Sequence, residues 1–378
     1  MKITTLLLTI IISSKFLGQE YGMVQVDSNL WLDQTEITNN EYRQFVFWVR
    51  DSITRKILFD AGLKEYGKIP IIDGSFTPNW NQTLDFFDTS IIRILVSKKF
   101  YRPVQNRLDS RNEIDVSYLK YQYLNAKGVE IEINIYPDTT NFSDPFININ
   151  GDSIPNSYNE HFSNMYFWHP AYDDYPVVNI NYNQAVAFCD WRSKLFNNFN
   201  NENGSGKKVK YALPSFDNMC TISTKSSQLH QEASKSIYWG GLLDPEPLFV
   251  MNRFYDSEEY YRKKMAKYLK KLVKIKSEEQ LNKRELNMPY YIISNEYNFQ
   301  SPLSTMNCFG FPSLLSENDD NLIYGLSGNV AEILIDKKVV GGSYLHPLEK
   351  CKVGELIKWD SDNSAKWLGF RCIMFYVK

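Results

Sequence analysis

The spacing of apolar positions changes from segment to segment along this chain, and each change marks an element. Val24 to Leu32 mixes β-branched and aromatic residues and predicts a strand ending at Asp33-Gln34. Thr38-Asn39-Asn40-Glu41 then reads as a capping box, in which a hydroxyl and a carboxylate satisfy the otherwise unpaired amides of a first helical turn. Tyr42, Phe45, Val46, Val49 and Ile53 follow at helical spacing, so a helix is expected with that face in the core. Gly and Pro punctuate residues 56–165, which predicts loops with short strands at Ile91 to Val96 and Val129 to Tyr136.

A second amphipathic helix is expected to begin near Asn183, with Asn181 as its cap and Ala185, Phe188, Cys189 and Arg192 recurring at three- and four-residue steps. The polar tract Asn197 to Gly206 predicts its end in a solvated loop. Residues 256–285 form a third helical candidate with ten Lys/Arg and six Asp/Glu, its apolar stripe running from Tyr261 to Ile275. That pattern fits a solvated helix packed by one side better than a basic surface for an acidic partner or lipid headgroups. No internal repeat is visible.

Composition supports a sizeable core: 43% of the 378 residues are hydrophobic, and 25 Tyr and 23 Phe place the chain well outside the disordered range. A net charge of -2 provides no general attraction to nucleic acid or anionic lipid. Lys2 followed by the apolar run Ile3 to Ile12 reads as an export signal over residues 1–18, too short to span a bilayer, with Gly18 marking the cut. The first cysteine is Cys189, so no lipid-bearing cysteine is expected near the N-terminus. Five cysteines leave at least one unpaired.

Four short segments stand in order along the chain: Thr35 to Tyr42, Tyr175-Pro176-Val177-Val178, Ser327 to Glu332 and Gly369-Phe370-Arg371-Cys372. Together they resemble the formylglycine-generating-enzyme, or sulfatase-modifying-factor, family. The resemblance implies an α+β fold of the formylglycine-generating-enzyme/C-type-lectin-like kind with little regular secondary structure. It would form one domain over 24–378 with divergent insertions at 56–165 and 242–300. The run Trp168 to Val178, the helix segment Ala187 to Arg192, Asp33 to Asp51, Tyr136-Pro137-Asp138-Thr139 and Tyr238-Trp239-Gly240-Gly241 look like the gliding-motility GldK/PorK branch. That branch implies a periplasmic ring component of type IX secretion and gliding near the inner face of the outer membrane. Its expected partners are a GldN/PorN-type ring protein and copies of itself or GldK/PorK paralogues. The chain departs from the branch in lacking the lipid-bearing cysteine and the strand pair with a Gly-Ser-Phe-Thr-Met-Gly-like segment. Three residues also look deleted before Ser327.

Oxidase members of the family hold copper on two thiols near a Gly-Gly-Ser-Tyr-like strand, a task suited to soft thiolates. Here Gly341-Gly342-Ser343-Tyr344 is followed by His346 at the first thiol's place, and Cys351 keeps the second thiol's spacing. A His/Cys pair is too small a ligand set for a closed site, so His346 and Cys351 read as a degenerate former active site. In calcium-bearing relatives, backbone carbonyls and a terminal Glu supply oxygen ligands, which carries over to Gly328, Val330 and Glu332. The resemblance also implies a disulfide between Cys189 and Cys372.

Other chemistry is weakly signalled. His161, His169, His230 and His346 show no metal-ligand spacing, and His169 before Pro170 reads as a packed loop residue. Asp173-Asp174 fits a turn better than a catalytic pair. No nucleophile elbow, Walker loop or dinucleotide turn occurs. The expectation is therefore an exported non-enzyme without an obligatory cofactor, calcium excepted, serving as an interaction module of secretion or gliding. The alternatives are a metal-dependent oxidase of the formylglycine-generating type and a carbohydrate or protein recognition module.

Overall fold

The computed structural model describes residues 22–70, 74–107, 111–143, 146–147, 153–154, 165–202, 207–222, 323, 325–326, 329–343 and 354–377. Strands β1 (Met23–Asp27) and β2 (Leu30–Asp33) form an antiparallel hairpin where one strand was expected. The reason is local: Asp27 Oδ1 accepts the Ser28 amide at 2.7 Å and turns the chain at Ser28-Asn29. A strand pair therefore does precede the first helix, although it lacks the expected glycine-rich segment.

Helix α1 (Asn39–Asp60) starts at the expected capping box. Glu41 Oε2 accepts the Thr38 amide at 2.8 Å, and Thr38 Oγ1 accepts the Glu41 amide at 3.2 Å. Tyr42, Phe45, Val46 and Val49 are buried as their spacing requires. Two short strands, β3 (Gly67–Lys68) and β4 (Thr77–Pro78), pair antiparallel. The segment expected as a strand at Ile91 to Val96 is instead helix α2 (Thr89–Ser97). Asp88 caps it by accepting the Ser90 and Ile91 amides, and Ile91 and Leu95 are buried one helical turn apart, not alternately. The second expected strand is present as β6 (Glu130–Asn134), paired with β5 (Lys120–Leu124). Strands β7 (Phe146–Ile147) and β8 (Ser153–Ile154) pair antiparallel.

Helix α3 (Tyr182–Glu202) also opens on a reciprocal cap: Asn181 Oδ1 accepts the Gln184 amide and Gln184 Oε1 accepts the Asn181 amide. It continues to Glu202, five residues past Asn197, where its end was expected. The physical reason lies in β9 (Lys208–Ala212), whose outer edge the Asn tract covers. Ser193 Oγ accepts the Tyr211 amide, Asn197 exchanges two hydrogen bonds with Val209, and Asn200 donates to the Lys207 carbonyl. Four helical residues rise about 6 Å and two strand residues about 6.6 Å, so the two ladders keep step. After β9, Ser215 and Asn218 cap the helical residues 216–222: Asn218 Oδ1 accepts the Ser215 amide and Ser215 Oγ accepts the Asn218 amide.

The remaining strands are β10 (Ala331–Ile333), β11 (Val339–Val340), β12 (Leu368–Gly369) and β13 (Ile373–Val377). They complete a four-stranded sheet ordered β1-β2-β13-β9 and a three-stranded sheet ordered β11-β10-β12. The chain divides into two compact units, one holding 43–136 and the other joining 22–42 to 137–378, with the boundary inside α1. Leu58, Leu84, Ile91, Leu95 and Phe100 centre the core of the first. In the second, one cluster gathers Leu32, Met219, Leu334, Val340 and Ile373. Beside it in sequence order, Tyr42 stacks on Phe188 at 5.6 Å while Phe370 stands edge-on to both. The 256–285 helical candidate lies outside the described residues. Among the described residues, no helix is long and apolar enough to cross a membrane.

Candidate functional site

The four segments meet in the second unit. Ile37 donates its amide to the Phe370 carbonyl at 2.9 Å, and Val177 donates to the Ile37 carbonyl at 2.8 Å. Thr38 bridges Pro176, and Ala331 pairs with Leu368 in the parallel β10–β12 contact. Gly369 is obligatory here because a Cβ would lie 2.9 Å from the Val177 carbonyl oxygen and 2.8 Å from Val330 Cγ2.

This convergence buries an ionic centre. Arg371, fully buried, donates Nε to Glu332 Oε1 at 2.7 Å and brings Nη2 to the same oxygen at 2.6 Å. Its Nη1 donates to the Asp33 and Gln34 carbonyls, and Nη2 lies 3.9 Å from Glu36 Oε2. Glu36, also fully buried, accepts from Asn329 Nδ2 at 2.7 Å. Gly325, with φ +66, passes so close that a Cβ there would sit 2.6 Å from the Glu36 carboxylate oxygens. One guanidinium thus faces two carboxylates away from water. Burial raises the Glu36 carboxyl to about 7 against the lowering pull of Arg371, and the Glu332 charge adds to the rise. Burial pushes the Glu332 carboxyl up as well, opposed by Arg371.

A second centre lies along α3. Arg192 Nη1 meets both Asp33 oxygens at 2.9 and 3.0 Å, and Asp33 Oδ2 accepts the Cys372 amide at 2.8 Å. Cys189 and Cys372 are buried thiols with their sulfurs 3.4 Å apart. Burial pushes the Cys372 thiol far above its ordinary range, reinforced by Cys189 and Asp33, which leaves it a poor nucleophile. The expected pair is brought together, as two thiols in contact.

Other expected site residues are placed less completely. His346, Cys351, Gly328, His161 and His230 lie outside the described residues. Gly341 and Gly342, which lead toward His346, both adopt left-handed φ values of +85 and +67. His169 is exposed in a turn, 6.0 Å from the Tyr172 ring. The Asp173 carbonyl accepts the Asn40 amide, which ties that turn to the start of α1. Glu36, Asp33 and Arg192 were missed as functional candidates, although Glu36 stands in one of the four segments, Asp33 just before it, and Arg192 at the end of the Ala187 to Arg192 segment. Glu36 stands among the polar residues Gln34, Thr35, Thr38 and Asn39, so no local pattern marked it for burial.

The calcium ligands implied by the resemblance fit in part. Glu332 spends Oε1 on Arg371, whose charge opposes a nearby divalent ion. Its Oε2 and Asn329 Oδ1 are buried without a hydrogen-bond partner among the described residues. Those are hard oxygen donors, but two fall short of the roughly six to eight that calcium takes. Among the described residues, no group of three or more His, Cys, Asp or Glu side chains is placed to hold a metal ion.

Fold and site define a mixed α+β scaffold in which Arg371, Glu332, Glu36, Arg192 and Asp33 are committed to one another in the interior of the second unit. The model for the sulfatase-modifying factor enzyme 1-like domain matches residues 21–375, and the chain belongs to that family. Comparison with curated proteins returned no match.

Proposed function

We propose that this chain is a non-catalytic structural and interaction component of the type IX secretion or gliding machinery, acting in the periplasm and resembling the GldK/PorK branch of its family. One observation carries the reading: His346 stands where oxidase relatives place the first thiol of their copper pair, leaving Cys351 alone at the second. The buried ionic centres support it, because Arg371 and Arg192 are paired with acids within the fold. Binding energy would then come from aromatic and apolar surface, with a GldN/PorN-type ring protein as the partner. The test has two arms. Affinity capture of the full chain from its own cells is expected to bring down a GldN/PorN-type protein, and loading with Cu(I) is expected to give no thiol-dependent oxygen uptake. Stoichiometric copper with thiol-dependent turnover would overturn the reading in favour of an oxidase.

A further inference from the structure

In the first unit, a buried arginine holds one exposed tryptophan in place. Arg55, on α1, donates Nε to the Asn79 carbonyl at 3.1 Å and Nη2 to the Gln82 carbonyl at 3.0 Å, so it grips the turn on both sides of Trp80. Burying a guanidinium is costly unless its N–H groups are satisfied, and here the turn's own carbonyls satisfy them. The same guanidinium lies 4.8 Å from the centroid of the Trp80 ring, and Trp48, also on α1, stacks on that ring at 5.4 Å. Asn79 braces the turn further: its amide donates to the Tyr66 carbonyl, its Nδ2 to the Glu65 carbonyl, and its Oδ1 accepts the Asn81 amide. Fixed in this way, Trp80 still keeps 43% of its surface exposed.

What surrounds the ring sets the chemistry it can take. The stretch Thr77 to Leu84 carries no charge, and the Arg55 nitrogens are turned to carbonyls, so the turn offers no counter-charge to a phosphate or a carboxylate. Among the described residues, the Trp80 Nε1–H and the side-chain amides of Asn81 and Gln82 have no hydrogen-bond partner, which leaves them for hydroxyl groups from outside. Asn79, Asn81 and Thr83 are exposed and polar, whereas the centre of a protein interface is contiguous apolar surface. A second cation fits poorly on a ring that already faces a guanidinium. A neutral sugar meets every condition: β-linked glucose and N-acetylglucosamine carry their substituents around the ring edge and present C–H groups on its faces. We propose that Trp80 is a sugar-stacking platform for a neutral β-linked oligosaccharide, with Asn81 and Gln82 bonding its hydroxyls. The held turn supplies the order in advance, so little freedom is lost on binding. The inference goes beyond the secretion reading, which a chain that binds no sugar would leave intact.

Titration calorimetry of the full chain with chitohexaose and with cellohexaose tests it, with tryptophan fluorescence followed in parallel. Saturable binding of at least one of them is expected, with Kd between about 10 μM and about 1 mM, weakened at least about tenfold by Trp80→Ala and less by Trp80→Phe, which keeps a ring. The pair Asn81→Ala and Gln82→Ala removes side chains that hold nothing in the fold. It should weaken binding about threefold or more at an unchanged thermal midpoint, which separates lost binding from lost folding. No saturation by either sugar, binding that Trp80→Ala leaves unchanged, or tighter binding of a single-stranded RNA oligomer or a tryptophan-containing peptide than of either sugar, would overturn the proposal.

Discussion

Arg371 and Glu332 face each other with no access to water, two guanidinium nitrogens converging on a single carboxylate oxygen at 2.6 and 2.7 Å. Such a pair adds little net stability over an apolar pair, yet breaking it strands a buried charge. Arg371→Met leaves Glu332 and Glu36 facing each other uncompensated. It is expected to destabilise the fold by about 3 to 5 kcal/mol, read from urea unfolding midpoints. Adding Glu332→Leu should recover part of the loss. A single-variant cost below about 1 kcal/mol would mean that the pair is not buried as described.

The same centre sets a pH dependence. Glu36 ionises at about 7 in the fold against 4.5 ordinarily, so the folded state holds a proton that the unfolded chain releases between those values. The stabilisation is complete below about pH 4.5 and is lost as pH rises through about 7. Burial raises the Glu41 and Glu332 carboxyls too, and these act in the same direction. Unfolding free energy is expected to fall between pH 5 and 7.5 by an amount on the order of 3 kcal/mol. Glu36→Gln should flatten that slope. A stability that rises across this window in the parent chain would contradict the assignment.

Covering of the β9 edge by α3 rests on Asn197, which accepts the Val209 amide at 2.8 Å and donates to its carbonyl at 2.9 Å. Asn197→Leu keeps the branched, four-atom shape of the side chain but leaves both strand groups without this partner. The expected cost is about 1 to 3 kcal/mol, with faster hydrogen exchange confined to the Val209 amide and its neighbours. Unchanged exchange at Val209 would show that another group covers the edge.

What could be read from the sequence followed the distance over which each feature is decided. Both reciprocal caps, Thr38 with Glu41 and Asn181 with Gln184, are settled within three residues and were legible, at least in part, as start signals. The helix at Thr89–Ser97 was misread because four β-branched residues among Ile91 to Val96 favour a strand, while the deciding cap at Asp88 was overlooked. The Asn tract of α3 reads as a loop by propensity, and only its pairing with β9 keeps it helical. The four segments fixed the family but not their shared purpose. Glu36 meets Asn329 across 293 residues, a relation that no local spacing encodes.

Cys189 and Cys372 are separated by 183 residues, yet their sulfurs lie 3.4 Å apart in the interior of the second unit. Closing to a bond of about 2.05 Å needs only a small rotation of each side chain. The raised Cys372 thiol opposes that step, because thiolate is the reactive form and burial, Cys189 and Asp33 all disfavour it. A bridge should therefore form while the chain folds, with access to an oxidant, and not afterwards in the completed fold. Protein made in an oxidising compartment is expected to carry the bond and to be more stable than the reduced form by about 2 to 4 kcal/mol. Protein folded under reducing conditions is expected to keep both thiols unmodified by alkylating reagent until denatured. Diagonal non-reducing gels with alkylation before and after denaturation distinguish the two states. Rapid alkylation of Cys372 in the native reduced chain, or fully reduced exported protein, would refute this account.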